Sequence, residues 1–350
     1  MSYANGPKIV TDGLVLCLDA ANRKSYAVQP ELVTDSNLST IGDGNFRTCF
    51  RDSVSNITLD IGPIVSGKTY QLTWNVTQRP GTTSASMRVG FTVLSASTNV
   101  NTAVGLRSYI FTSNLNGTLR FVSDNIGTNF NVDFASLREY QSTFNDLSGN
   151  VNNGTLTNGT TFSADNGGVL SFDGSNDYIS LVSPSDRYAW TPSGNGNNYI
   201  TIDIWVKSTD GSGHFVSKPW NGSGWYNYRI TNNTFLLVAA QSNSKTFSNL
   251  STGNWENATV VVNPTQFAVY RNGSINSSFS NHNITGNTPG VGNLNLPLAL
   301  MTLYPYGVWG GNTGFSMSGQ LGIFKFYNRV LSPNEVQQNY NALKGRYGLT

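Results

Sequence analysis

The feature that most constrains this chain is a two-residue alternation of apolar and polar side chains that recurs along most of its length. Successive side chains of a strand point to opposite faces, so alternation predicts strands with one face buried. Thr69 to Thr77 is the clearest run: Tyr70, Leu72, Trp74 and Val76 fall on one face, Gln71, Thr73 and Asn75 on the other. Ile57, Leu59 and Ile61 form a similar set, as do Met87 to Val93, Tyr109 with Phe111, Leu119 with Phe121, and Phe130 to Phe134. In the second half, Ile200, Ile202, Ile204 and Val206 alternate with Thr201, Asp203 and Trp205. Ala258, Val260 and Val262 lead into an Asn263-Pro264 turn, and Asn272-Gly273 is a hairpin signal. Gly13 to Asp19 is continuously apolar up to its last residue, as expected of a central strand buried on both faces.

Only one helix is predicted. Ser332 is placed as N-cap, Pro333 as first helical residue and Glu335 as the partner in a capping box. Val336, Tyr340 and Leu343 give this helix an apolar stripe, and Gly345 is the expected stop. One amphipathic helix at the end of a β protein is expected to dock on a sheet or its edge.

Charged residues are 11% of the 350-residue chain, against roughly 25% in a typical soluble domain. Asn, Ser, Thr and Gly supply the missing polarity. Hydrophobic residues at 38% and aromatics at 12% exclude a disordered chain. A net charge of +2 gives no strong attraction to nucleic acid. No apolar run approaches the ~18 residues of a membrane-spanning helix, so no membrane insertion is expected. The opening Met1 to Pro7 lacks the charged-then-apolar layout of a signal peptide, so folding in a cytoplasm is expected. Cys17 and Cys49 are then expected to be buried free thiols.

Four stretches resemble one family. They are Asp12-Gly13-Leu14-Val15-Leu16-Cys17-Leu18-Asp19-Ala20-Ala21-Asn22; Asn145-Asp146-Leu147-Ser148-Gly149-Asn150; Phe172-Asp173-Gly174-Ser175-Asn176-Asp177-Tyr178; and Gly322 to Ser332 with Glu335. They resemble the laminin-G-like, concanavalin A-like domains of virion structural proteins of tailed bacteriophages, marine and cyanobacterial ones especially. The resemblance implies an antiparallel β-sandwich (jelly roll). In that family the first motif runs almost directly into the second. Here more than a hundred residues intervene, so 1–29 with 142–350 are read as one sandwich and 30–141 as an inserted second β domain. The insert is similar to jelly-roll carbohydrate-binding modules at Glu31 to Asp35, Val65 to Leu72, Gly117 to Phe121 and Asn131 to Leu137.

Catalytic groups are scarce. Glycoside hydrolysis needs two carboxylates about 5–9.5 Å apart. The only glutamates are Glu31, Glu139, Glu256 and Glu335, and none lies in a Glu-x-Asp-x-x-Glu spacing. Asp203 is a lone acid, read as an outward polar residue or one with a satisfied partner. The only histidines, His214 and His282, fall in Gly/Ser/Asn-rich stretches and are read as surface-loop residues. No Cys/His cluster suggests zinc, and no phosphate loop is present. No enzymatic activity is expected.

Two binding chemistries stay open. Asp173 and Asp177 flank a Gly-Ser-Asn turn and offer hard oxygens that suit calcium, or they cap the turn itself. Trp220, Trp225, Tyr226 and Tyr228 combine aromatic faces with neighbouring amides, and Trp309 lies in a second aromatic cluster. These rings are candidates for stacking on sugars, for a protein interface, or for the core.

Three functions are weighed. The first is a virion structural subunit (capsid decoration, head fibre or tail fibre) touching capsid or tail proteins and other copies of itself, with a trimer favoured by analogy. The second is an adhesin for cell-surface glycans. The third is a polysaccharide depolymerase, which the carboxylate inventory disfavours.

Overall fold

The computed structural model describes residues 8–27, 29–33, 35, 38, 47–51, 56–57, 59–78, 85–89, 92–93, 99–100, 105–123, 128–181, 187–190, 197–209, 211, 213–219, 226–231, 234–237, 244–246, 250–281, 297–302 and 316–350. The chain divides into two compact units, Met1–Ala27 with Ser142–Thr350, and Val28–Gln141. The exit from the first unit thus falls two residues earlier than the sequence reading placed it. Both units are built on β-sheets, and among the described residues the strands pair antiparallel.

The larger unit is a sandwich of two eight-stranded sheets. The first runs Thr161–Ser163, Val169–Asp173, Ser318–Tyr327, Ile200–Ser208, Glu256–Val262, Gln266–Arg271, Ser274–Asn281, with Leu14–Asp19 also paired to Ser318–Tyr327. The second runs Thr143–Phe144, Gly154–Thr157, Tyr178–Leu181, Leu298–Leu300, His214–Pro219, Tyr226–Thr231, Thr234–Leu237, Ser244–Thr246. One face of the first sheet is apolar. Leu16, Leu18, Ile202, Ile204, Phe324 and Phe326 are all fully buried there. Tyr188 meets Phe326 edge-on at 5.3 Å.

Leu14–Asp19 differs from the expectation of a central strand. It has a backbone ladder on one side only, against Ser318–Tyr327. Its other edge is closed by the Asp146–Asn152 segment. Leu147 N–H donates to Cys17 O at 2.8 Å, and Asp146 Oδ1 accepts from Cys17 N–H at 2.9 Å. Ser148 Oγ and Asn152 Nδ2 both donate to Val15 O at 2.8 Å. Side chains thus replace a strand that would otherwise cover an edge.

The two chain segments that flank Val28–Gln141 are tied together within the larger unit. Asn145 N–H donates to Ser25 O at 2.7 Å, and Tyr26 meets Phe144 edge-on at 6.2 Å. An insertion between ends already held together leaves the sandwich core untouched.

The smaller unit stacks two five-stranded sheets. Thr69–Gln78 behaves as its alternation predicts: Tyr70, Leu72, Trp74 and Val76 are buried in one cluster with Leu119, Phe121, Val132 and Leu137. Trp74 meets Phe121 at 5.6 Å. The Ile57-to-Ile61 run is not one strand. Asn56–Ile57 belongs to one sheet and Leu59–Ile64 to the other. A bulge in the pairing of Leu59–Ile64 shifts its buried set from Leu59 and Ile61 to Gly62 and Ile64.

The helix Pro333–Leu343 carries the full capping box, with Ser332 Oγ accepting from Glu335 N–H and the Glu335 carboxylate accepting from Ser332 N–H. The α-helix ends at Leu343, two residues short of the expected stop at Gly345. The chain tightens into a 3₁₀ turn, Lys344–Tyr347, and ends at Gly348 in the left-handed region. The extra turn brings Tyr347 onto the sheet, where it stacks on Trp205 at 4.5 Å. Gly322 leaves the flat spot this ring needs, because a Cβ there would collide with it.

Candidate functional site

The sequence-predicted site residues disperse. Tyr228 lies in Tyr226–Thr231 and is fully buried, its hydroxyl donating to Tyr188 O at 2.7 Å. It is a core residue and leaves the glycan-facing set. Trp220, Trp225 and Trp309 lie outside the described residues, as does the side chain of Tyr226. Among the described residues, Pro219 pairs with Tyr226 at one end of the strand His214–Pro219, and Leu300 pairs with Val216 near the other. Met301 N–H donates to Phe215 O, and Met317 N–H to Met301 O.

His214 is not a loop residue. It begins the strand His214–Pro219 and is 6% exposed, because the apolar stretch that follows it carries it into the sheet. His282 lies outside the described residues. Cys17 is a buried free thiol, and burial pushes it up to about 12, so it is not a nucleophile at neutral pH. Cys49 sits in Arg47–Arg51, with its side chain outside the described residues.

Asp173 and Asp177 cap their own turn. Asp173 Oδ1 accepts from Ser175 N–H at 2.7 Å. Asp177 accepts from Gly159 N–H at 2.6 Å and from Asp173 N–H at 3.1 Å. Burial and then the Asp173 carboxylate raise Asp177 to about 6. Both oxygens of Asp177 are therefore spent on backbone, whereas calcium takes six to eight oxygens. Among the described residues no three His, Cys, Asp or Glu side chains gather where they could hold a metal.

All four glutamates are tied to cations. Glu31 pairs with Arg138, Glu139 with Lys68, Glu256 with Arg271 and Glu335 with Arg329. Glu256 is lowered despite its burial, through Arg271, and the Arg329 guanidinium holds Glu335 at about 2. Glu256 and Glu335 therefore stay ionised near neutral pH and are poor proton donors there.

Two arrangements go beyond what the sequence reading placed together. The first is a polar sheet face in the smaller unit. Gln71, Thr73 and Asn75 are half-buried in register with Arg138, Ser136 and Phe134 on one side, and Thr73 faces Ser108 on the other. Asn75 Nδ2 donates to Asp133 Oδ1 at 2.8 Å. The result is a surface of hydroxyls and amides with one aromatic ring.

The second lies beneath the C-terminal helix. Asp203 and Lys325 are cross-strand partners, with Nζ 3.0 Å from Oδ2 and both side chains at most 1% exposed. Asn257 Nδ2 donates to Asp203 Oδ1 at 2.8 Å and Asn339 Nδ2 to Asp203 Oδ2 at 3.2 Å. The signal in the sequence was one lone charge of each sign in two apolar strands, Ile202-Asp203-Ile204 and Phe324-Lys325-Phe326. Buried charges require partners.

No protein-family model matches the sequence, and no curated protein matches it. Among solved structures, the binding domain of Paraclostridial Mosquitocidal Protein 1 is 17% identical with a TM-score of 0.44, over 60% of this chain and 53% of that one. A Trypanosoma rangeli sialidase in complex with 2,3-difluorosialic acid is 14% identical with a TM-score of 0.42, over 58% and 31%. The W1252A mutant of HCR D/C VPI 5995 is 15% identical with a TM-score of 0.43, over 58% and 50%. This chain thus spans about half or less of those structures, and at such scores the likeness carries no argument about activity. What the topology itself shows is an all-β chain of antiparallel sandwiches with one short C-terminal helix.

Proposed function

We propose that the chain is a non-enzymatic structural subunit of a virus particle (a capsid decoration, head fibre or tail fibre) that displays two β-sandwich units. The observation that carries this reading is the use made of the motifs that resemble virion proteins. Asp146 to Asn152 seals a strand edge, Asp173 to Asp177 caps a turn, and Ser332 with Glu335 starts the docking helix. Each motif builds scaffold, and the four glutamates serve ion pairs. The partners are other virion chains and copies of itself, with a trimer favoured by analogy to appendages on three-fold positions. Crosslinking mass spectrometry on purified particles tests it. Links to capsid or tail chains are expected, and recovery solely from the particle-free fraction would sink the proposal.

Glycan adhesion is the second reading, and the polar face of the smaller unit favours it. Planar amides and hydroxyls beside an aromatic ring suit neutral sugars, which offer hydroxyls and apolar faces. A glycan array with the purified chain and with Gln71→Ala and Trp220→Ala separates the two. Binding lost in either variant supports adhesion; an array blank for the unaltered chain removes it.

A further inference from the structure

Two buried side chains from two elements converge on one carboxylate oxygen of a third element. Lys325 comes from Ser318–Tyr327, Asp203 from Ile200–Ser208 and Asn339 from the C-terminal helix. All three are 0% exposed. Lys325 Nζ and Asn339 Nδ2 sit on the same Asp203 Oδ2, at 3.0 and 3.2 Å. An ammonium carries three donors, yet among the described residues Nζ makes no hydrogen bond of good geometry. An ion pair kept only for stability is expected to satisfy its donors, because each one left buried is costly.

The Asn339 amide is held in one orientation. Its Oδ1 accepts from Val10 N–H at 2.8 Å, and its Nδ2 also donates to the Tyr327 hydroxyl at 3.0 Å. That hydroxyl in turn donates to Val10 O at 3.1 Å. The carbonyl oxygen therefore faces a fixed N–H donor, the nitrogen faces a carboxylate, and a primary amine lies on that same carboxylate. A nucleophile and an amide thus share one carboxylate oxygen that can carry a proton between them, and the amide oxygen faces an oxyanion donor.

We propose that Lys325 and Asn339 join through an intramolecular isopeptide bond, with Asp203 as the proton carrier. Asp203 takes a proton from the Lys325 ammonium. The freed Nζ attacks Cγ of Asn339, and the negative charge on Oδ1 is met by Val10 N–H. Asp203 passes its proton to Nδ2 as the Cγ–Nδ2 bond breaks, and it removes the second proton from Nζ. That proton leaves with the ammonia as ammonium. One C–N bond forms and one breaks; no oxidant or co-reactant enters. The product fastens the C-terminal helix covalently to the sheet beneath it and replaces a buried ammonium by a neutral amide.

Intact mass and tryptic mapping of the purified full chain test this. The chain is expected to be lighter than its sequence mass by one ammonia, uncut after Lys325, with a branched peptide joining Lys325 to Asn339. The branch decides, since an Asn-Gly succinimide also loses ammonia. Asp203→Asn is expected to restore the full mass and separate peptides. If that variant does not fold, Asn339→Ala carries the test and is expected to show an unbranched Lys325. A folded, unaltered chain with a free Lys325 peptide overturns the proposal. A branch to Asn257 or to Asp203 overturns the assignment to Asn339, and a branch that persists in folded Asp203→Asn overturns the role of Asp203.

Discussion

Asp203 and Asp177 are both nearly inaccessible, at 0% and 2% exposure, yet they sit in opposite electrostatic settings. Asp203 faces the Lys325 ammonium and receives two side-chain amides. Asp177 receives two backbone N–H groups and has a second carboxylate, Asp173, as its charged neighbour. Burial is common to both, so the neighbours decide what each carboxylate does. One organises a charged centre under a helix. The other is a turn cap that carries its charge under protest from its surroundings and holds its proton to about pH 6.

The comparison can be broken in three places. Asp203→Ala leaves Lys325 buried without its counter-ion, and loss of one partner of a buried pair costs about 3–5 kcal/mol. Chemical denaturation of this variant is expected to show that loss; a change within error would mean the pair carries no weight.

Asp177 gives a smaller effect of distinct sign. Its folded value of about 6 lies above the 3.8 of the unconstrained group, so the folded state binds the proton more tightly. The contribution is fully present below the unfolded value and is lost as pH rises through the folded one. The contribution of Asp177 to stability is therefore expected to rise as pH falls from about 6 to about 4, by on the order of 2 kcal/mol. Asp177→Asn should lack this rise, measured as the difference in denaturation midpoints across that window.

Asp173→Asn sharpens the origin of the shift. Removing the second carboxylate should lower the titration midpoint of Asp177 while the larger cause, burial, keeps it above 3.8. The stability change at pH 7 is expected to stay under about 1 kcal/mol. Carbon-detected NMR titration reads the midpoint; an unmoved value would assign the whole shift to burial.

Much of the scaffold was legible because it follows local rules. Alternation in Thr69–Gln78 and Ile200–Ser208 named the inward residues, since strand periodicity needs no knowledge of the partner strand. The capping box at Ser332 and the Asn272-Gly273 hairpin were equally local; both turn residues take positive φ, 49° and 75°. The errors fell where a distant contact overrode the local pattern. Leu14–Asp19 read as a central strand because its run is continuously apolar, but side chains from Asp146 to Asn152 occupy its second edge. The helix ends at Leu343, close to the expected stop, but the 3₁₀ turn that carries Tyr347 onto Trp205 was not read. His214 read as a loop residue from its Gly and Ser neighbours, and the apolar strand that follows drew it inside.

By itself, then, the sequence determined an all-β chain, the inward face of its best-patterned strands, the place of its one helix and the scarcity of acid–base groups. Those properties depend on spacing and composition, which short-range geometry converts directly into structure. The tertiary structure alone decided that Asp203 meets Lys325 and Asn339, residues more than a hundred positions apart in the chain at their extremes. Pairing of distant strands and docking of the helix set that meeting. A lone charge in an apolar strand announces that it needs a partner, but only the register of the sheet says which one.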